Sequence, residues 1–471
     1  MKPIGDPDPP SSPPHPAETM PSQYLPPRPE ALAKIEHIVV LMLENHSFDH
    51  MLGWLHRDDA HPDYPPRGQD FEGLDEGLWN PLDSLDSNGI PVIEKVPVER
   101  NGAPIEGTRY IEADPHPAPD FTLPHPDPGE GFKDTNHQLF ESYQVPDDYP
   151  PEPTNRGFFH AATSCGQVNN KPLPSYDTPT IFNRLEEAGV AWKVYASSPG
   201  GSRNPDDSLT EEGAHFSLTR LTMTRLHDAS LNTRFQAMDR FYEDAAAGSL
   251  PAYAFLEPQY SGAGQNDQHP PSDVRPGEIL VAKVFEALRD GPGWEKTLFV
   301  VTYDEHGGCY DHVPPPGGAA APDEGKPAGQ MGFRFNRFGV RVPTVLVSPW
   351  IQEGTVCRPE GWTPFDHTSV IRTVRNRFGI EDTLTGRDAA APDLSCALTL
   401  DEARTDQVEV APLPYEAPDA DPGPNDLHEI SAQVLQELTG MAQEEGESLN
   451  DFIHRVYQAR FGSGGGKAVA S

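Results

Sequence analysis

The feature that most constrains this chain is an alternation: short apolar runs of strand length, separated by amphipathic stretches of helix length. IEHIVVLMLEN has a centre, IVVLML, without a polar residue and with β-branched side chains, so it reads as a strand buried on both faces. From residue 179 the alternation becomes regular. TIFNRLEEAGV sets Ile181, Leu185 and Ala188 on one helical face and stops at Gly189. AWKVYAS reads as a strand, GSLPAYAFLEP as another, and PGEILVAKVFEALRDG as a helix. TLFVVTYDEHGG is a buried strand entering a glycine turn, VRVPTVLVSPW a further strand, and HTSVIRTVRNRFGI a closing helix. Strands alternating with helices predict an α/β fold: a mostly parallel sheet with helices on both faces and long Pro-rich loops around it.

The rest of the chain divides around that core. Proline counts 54 of 471 residues, about twice its usual share of ~5%. Residues 1–33 are rich in Pro, Ser and Asp and read as a disordered leader. Residues 34–383 form the ordered domain, with 57–155 as a loop-rich insertion of a size that is uncommon unless it builds a site or a lid. Residues 384–471 read as an acidic Pro-rich tail with one C-terminal helix, ending in a flexible GSGGGKAVAS. Asp and Glu total 73 against 35 Lys and Arg, a net charge of −38. Such a surface repels phosphate backbones and anionic bilayers, which argues against nucleic acid and leaves room for at most transient membrane contact. No apolar run approaches the ~18 residues of a membrane span, and the N-terminus lacks a secretory pattern, so a cytoplasmic protein is expected unless another export route serves it. Cys165, Cys309, Cys357 and Cys396 are far apart, and unpaired core thiols are expected. Oligomeric state cannot be read from the sequence.

In an open parallel sheet, ligands gather beyond the carboxyl ends of the strands. The first strand ends in Glu44-Asn45-His46-Ser47-Phe48-Asp49-His50, the VVTY strand in Asp304-Glu305-His306-Gly307-Gly308, then Tyr310-Asp311-His312, and the AYAFLEP strand is followed by Asn266-Asp267-Gln268-His269-Pro270. Any one of these acids has a duller use, as a helix cap or an Asx turn. Together they crowd carboxylates in an already acidic chain, which is costly without a cation. Carboxylate and amide donors suit one hard divalent ion, Mg, Ca or Mn. Thr178 and Thr180 flank Pro179 at the start of the TIFNRLEEAGV helix, where N–H groups favour an anion. A threonine there can be a plain N-cap or a nucleophile.

HIVVLMLENHSFDHMLGWL, ATSCGQ, TPTIFNRLEEAGVAWKVYAS, NDQHPPSDVRPGE, TLFVVTYDEHGGCYDHVPPP, FGVRVPTVLVSPWI and FDHTSVIRTVRNRFG form an ordered set over roughly residues 35 to 380. This set resembles the phosphoesterase family of bacterial non-zinc phospholipase C, an acid phosphatase and plant non-specific phospholipase C. The resemblance implies an alkaline-phosphatase-like fold, with 34–383 as a phosphoesterase catalytic domain. It implies Glu44, Asn45, Asp304 and Glu305 as metal ligands and Thr180 as nucleophile, with Thr178 as the alternative. Asp267 and His269 match a loop facing the phosphoryl group; His306, Asp311 and His312 match the segment that closes the site. Relatives carry a His in a DPGH stretch where this chain reads Asp127-Pro128-Gly129-Glu130, so either His125 substitutes as a substrate contact or the site lacks one imidazole.

The expected reaction is metal-assisted hydrolysis of phosphoesters, with a phospholipid as the first substrate and a small soluble monoester, as for an acid phosphatase, as the alternative. His269 is the candidate general acid, since imidazoles ordinarily titrate near neutrality. A non-catalytic binding protein on the same fold is the reading from another class, opposed by the intact Glu44, Asn45, Thr180, Asp304 and Glu305. A sulfatase is opposed by the lack of a C-x-P-x-R stretch.

Overall fold

The computed structural model describes residues 24–461, leaving out 54, 57–70, 75–79, 86–90, 97–98, 101–102, 105–151, 168–175, 198–214, 263, 271, 308, 310, 314–315, 323–328, 330–333, 362, 407 and 416–425. His125 and the 127–130 stretch therefore lie outside the described residues, as do 1–23 and the last ten.

Six strands make the central sheet: β1 (His37–Leu43), β2 (Trp192–Ala196), β3 (Phe235–Ala237), β4 (Tyr253–Glu257), β5 (Thr297–Tyr303) and β6 (Thr344–Val347). Their spatial order is β6-β5-β1-β4-β2-β3. All neighbours are parallel except β6, which runs antiparallel to β5 at the edge. The α/β fold with a mostly parallel sheet is thus observed. Two antiparallel pairs, Asn80–Leu85 with Pro91–Val96 and Glu99–Arg100 with Ala103–Pro104, lie within the stretch read as a loop-rich insertion.

The helices are α1 (Pro29–Leu32), α2 (Phe48–Leu52), α3 (Glu152–Ala161), α4 (Ile181–Glu187), α5 (Leu218–Thr222), α6 (Met238–Ala247), α7 (Arg275–Asp290), α8 (His367–Phe378), α9 (Gly386–Ala390), α10 (Asp426–Thr439) and α11 (Leu449–Phe461). Because strand side chains alternate, β1 feeds two cores. Ile38, Val40 and Met42 pack with Phe159 of α3, Ile181, Phe182 and Leu185 of α4, and Val370, Ile371 and Val374 of α8. Val39, Leu41 and Leu43 pack with Phe241 of α6 and Leu280, Val284 and Leu288 of α7. Helices cover both faces, which is why the strands carry unbroken apolar runs.

Two boundaries differ from expectation. Residues 29–32, read as leader, form α1, with Ala31 and Leu32 buried in the first core. Leu394, Ala397 and Leu398, read as tail, are buried there too, because PDLSCALTL offers apolar side chains that α8 needs covered. The single C-terminal helix is two, α10 and α11, parted at Gly440, whose φ of 68° is left-handed. Leu427, Leu435, Val456 and Tyr457 from this pair form a third apolar cluster with Leu218 and Leu221 of α5 and with Tyr260.

Candidate active site

Glu44 and Asn45 follow β1 directly, Asp304 and Glu305 follow β5, and Asp267 with His269 lies in the loop after β4. Those three strands are neighbours in the sheet, so their carboxyl ends converge. The loops are stitched backbone to backbone: Asp304 N donates to Leu43 O at 3.1 Å and Glu44 N to Asp267 O at 2.9 Å. Asn45 N donates to Asp304 Oδ1 at 3.0 Å, and Glu305 N reaches the same oxygen at 2.8 Å. The Glu44 and Asp304 carboxylates interact electrostatically. Two of these loops hold a non-glycine residue in the left-handed region, Asn45 at φ 59° and Gln268 at φ 69°. Strain of that kind is retained where the surroundings fix it, commonly at functional sites. Gly307 is required for a different reason. At φ 63°, a Cβ on it would stand 2.3 Å from Asn45 O, so only glycine lets the two loops meet.

Glu44, Asp267 and Asp304 are fully buried, and Glu305 is nearly so. Burial, then the nearby Glu44 charge, raises Asp304 well above the ordinary carboxyl range. Burial pushes Asp267 up to about 7. One cation stands among them. Arg156 of α3, itself buried, donates through Nη2 to Glu44 Oε1, and its Nε lies 3.6 Å from Asp304 Oδ2. Even so, Glu44 Oε2, Asp304 Oδ2 and Asp267 Oδ2 accept no hydrogen bond among the described residues. Among the described residues, four buried carboxyls stand against one guanidinium, and oxygens of Glu44, Asp267 and Asp304 lack a donor, so the pocket is short of positive charge. Carboxylates with an adjacent amide suit a hard divalent cation, so Glu44, Asn45, Asp304 and Glu305 could hold one; among the described residues, His/Cys/Asp/Glu ligand atoms lie within 4.8 Å of one another in two other groups, Asp49, Asp311 and His312, and His46, His50 and Cys309.

His269 faces this cluster. Its Nε2 lies 3.1 Å from Asn45 Nδ2, its Nδ1 meets Pro270 O, and its N–H donates to Asp267 Oδ1 at 3.2 Å. With Asn45 donating, Nδ1 carries the proton in the neutral ring. His306 is half-buried, with Nδ1 3.5 Å from Glu305 Oε2, and loss of hydration pushes it down to about 4.

Thr180 is fully buried at the N-cap of α4 in a reciprocal capping box. Its hydroxyl donates to Asn183 Oδ1 at 2.9 Å and accepts from Asn183 N at 3.3 Å. The hydrogen bonds of Thr180 thus stay within its own helical turn. The helix reaches the carboxylate pocket through α3, where the His160 ring packs 5.4 Å from that of Phe182 while Arg156, one turn earlier, holds Glu44. Thr178 is half-buried two residues upstream.

Asp311 and His312 belong to a neighbouring network with Asp49 and Arg341. Arg341 Nε donates to Asp311 Oδ1 at 2.9 Å and Nη2 to Asp49 Oδ1 at 3.0 Å, while His312 Nδ1 meets Asp49 Oδ2 at 2.7 Å.

Three residues of the site escaped the sequence reading. Arg156 is the counter-charge; the only hint is a lone Arg in TNRGFFHA, one helical turn before His160. Glu257 ends β4 fully buried, and accepts from Thr219 N and Oγ1, both at 2.9 Å. An acid as the last residue of a buried strand is the signal that would have found it. Tyr260 lies under Arg156, ring centroid 5.6 Å from the guanidinium carbon, and joins the site to α10 and α11.

Comparison with known proteins identifies the family. The model of the Phosphoesterase family matches residues 35–142 and 136–381. Non-specific phospholipase C3 of Arabidopsis thaliana is 31% identical over 90% of this chain and 82% of its own length. Non-specific phospholipase C5 of the same plant is 32% identical over 81% and 77%. Phospholipase C B of Mycobacterium tuberculosis is 27% identical over 78% of each. A solved chain from Vibrio parahaemolyticus, described as a protein in the alkaline phosphatase superfamily, superposes with a TM-score of 0.29 at 12% identity, covering 76% of this chain and 70% of its own. That last likeness is too loose to define the fold. Matched over most of its ordered length, the chain belongs to the phosphoesterase family.

Proposed function

We propose that this phosphoester hydrolase cleaves phospholipids in the manner of a phospholipase C, with Thr180 as nucleophile and one divalent cation held by Glu44, Asn45, Asp304 and Glu305. The observation that carries the cation is that buried oxygens on Glu44, Asp304 and Asp267 have no hydrogen-bond donor among the described residues. What favours a phospholipid is the set of relatives named phospholipase C across most of the chain. A cation in that pocket would draw negative charge off the phosphoryl oxygens.

The chain's own residues supply the rest. The Thr180 hydroxyl passes its proton to a carboxylate oxygen of the pocket, its oxygen attacks phosphorus, and the bond from phosphorus to the glycerol oxygen breaks. His269, once doubly protonated and with Nε2–H turned from Asn45 to the substrate, gives that proton to the departing diacylglycerol oxygen. Asp267 fixes the backbone of His269 and so the aim of the ring. Water then displaces the phosphorylated headgroup from Thr180. With a net charge of −38, the surface disfavours anionic bilayers, so zwitterionic lipid is the better substrate.

The test compares phosphatidylcholine vesicles with a soluble aryl phosphate monoester, each with and without chelator. Diacylglycerol release that chelator abolishes is expected. Cleavage of the monoester alone would replace the lipid reading by a phosphatase, and chelator-insensitive turnover would remove the cation.

A further inference from the structure

We propose that Cys357 and Cys396 form an oxidative cross-linking site that closes into a disulfide when the protein meets a disulfide-class oxidant. Composition and spacing led to the opposite expectation of isolated core thiols. In the fold the two sulfurs stand 2.7 Å apart across a chain separation of 39 residues. That is well inside the separation unbonded heavy atoms keep. A disulfide needs ~2.05 Å, so each sulfur would shift by about 0.3 Å, within the reach of a small side-chain rotation. Cys396 is buried in the 3-10 turn Leu394–Ala397, and Cys357 is half-buried, which gives an oxidant one approachable sulfur.

The two segments are already fastened at both ends. On the Cys357 side, Leu25 N donates to Arg358 O at 3.4 Å, and Arg358 pairs with Glu72 at 3.4 Å. On the Cys396 side, Leu394 N donates to Thr373 Oγ1 of α8 at 2.9 Å, and Arg28 N to Ser395 Oγ at 2.9 Å. These ties hold each segment in place and so keep the two sulfurs facing one another. The bond would enclose α8, whose His367 Nε2 meets Tyr303 O at 3.0 Å just before Asp304. The cross-link would therefore brace the shell behind the carboxylate pocket without touching it.

The chemistry balances as thiol–disulfide exchange. One thiolate attacks the oxidant and releases a thiol. The second attacks the mixed disulfide and releases another. Two protein thiols lose two protons and two electrons, and the oxidant leaves as two thiols.

The experiment incubates the folded full chain with oxidised glutathione, denatures it in acid and alkylates the remaining thiols. Expected is protection of two of the four cysteines, a peptide joining Cys357 to Cys396, and alkylation of Cys165 and Cys309. Four alkylated cysteines, or glutathione left on Cys357, would overturn the proposal. Closing a loop of that length also predicts that reduction lowers the melting midpoint by on the order of 5 °C. Cys396→Ser should lack that redox-dependent step; if the step persists in this variant, another pair is responsible. Should Cys396→Ser fail to fold, the peptide from the unmodified chain still decides.

Discussion

Two clusters of buried acids lie side by side at one edge of the sheet, and they have been treated differently. Around Asp49 and Asp311 every carboxylate oxygen is used. Arg341 takes one from each, the N–H groups of Asp49 and Val313 reach Asp311, and His312 covers Asp49 through N and Nδ1. Around Glu44, Asp304 and Asp267, among the described residues, one guanidinium serves two acids, and an oxygen of each of the three is left without a donor. Residue types are alike in both; satisfaction differs. Removing a partner from a fully paired cluster costs stability, so the Asp49–Asp311 group is expected to act first on the fold. An underpaired one holds its carboxyls at a cost that a ligand can repay, so under the proposed function its effect is expected on turnover.

Substitutions can break this contrast. The largest effect is expected in the underpaired pocket and at the proposed nucleophile: Asp304→Asn or Thr180→Ala should lower phosphoesterase turnover by roughly 10³-fold or more. Asp304→Asn should leave the urea midpoint unchanged or higher, because an amide costs less to bury than a carboxylate. Thr180→Ala should lose about 1 kcal/mol, the worth of an N-cap. A large loss of stability with activity kept, in either variant, would reverse the assignment of roles.

Next comes the paired cluster. Arg341→Met should cost about 3 kcal/mol in chemical denaturation, discounted from a fully buried pair because Arg341 is partly exposed, with turnover per folded molecule retained. Loss of turnover without loss of stability would move Asp49 and Asp311 into the catalytic machinery.

A third test uses pH. Burial lifts Asp267 from an ordinary 3.8 to about 7 and moves Asp304 the same way. Between about pH 4 and 7 the folded, ion-free chain keeps protons that the unfolded chain has released. The contribution of these two groups to stability is therefore greatest below this window and falls as pH rises through it. A divalent cation would hold the carboxyls ionised, so titrating Mg, Ca or Mn into weakly buffered protein should release protons at pH 6 and few at pH 8.5. A flat stability profile across pH 4 to 7 would contradict the burial argument. The smallest effect belongs to Thr180→Ser, which keeps both the hydroxyl and the cap: turnover within about tenfold is expected, measured beside Thr180→Ala.

Five of the six sheet strands and helices α4, α7 and α8 were legible in the sequence, since each depends on periodicity within some ten residues, whereas β3, α3, α5 and α6 were not. The sequence also placed Glu44, Asn45, Asp267, His269, Asp304 and Glu305 at strand ends, because a parallel sheet sends the ends of neighbouring strands to one side. The helical break at Gly440 and the burial of Leu394 to Leu398 were less legible; a short apolar run in a polar stretch has no period of its own. Tertiary structure alone decided which acids are paired, by bringing Arg156 to Glu44 and Arg341 to Asp49 across separations of 112 and 292 residues. It alone brought the sulfurs of Cys357 and Cys396 together. Local pattern determines which groups reach an edge of the sheet, whereas their partners depend on packing among segments remote in the chain, for which no short-range signal exists.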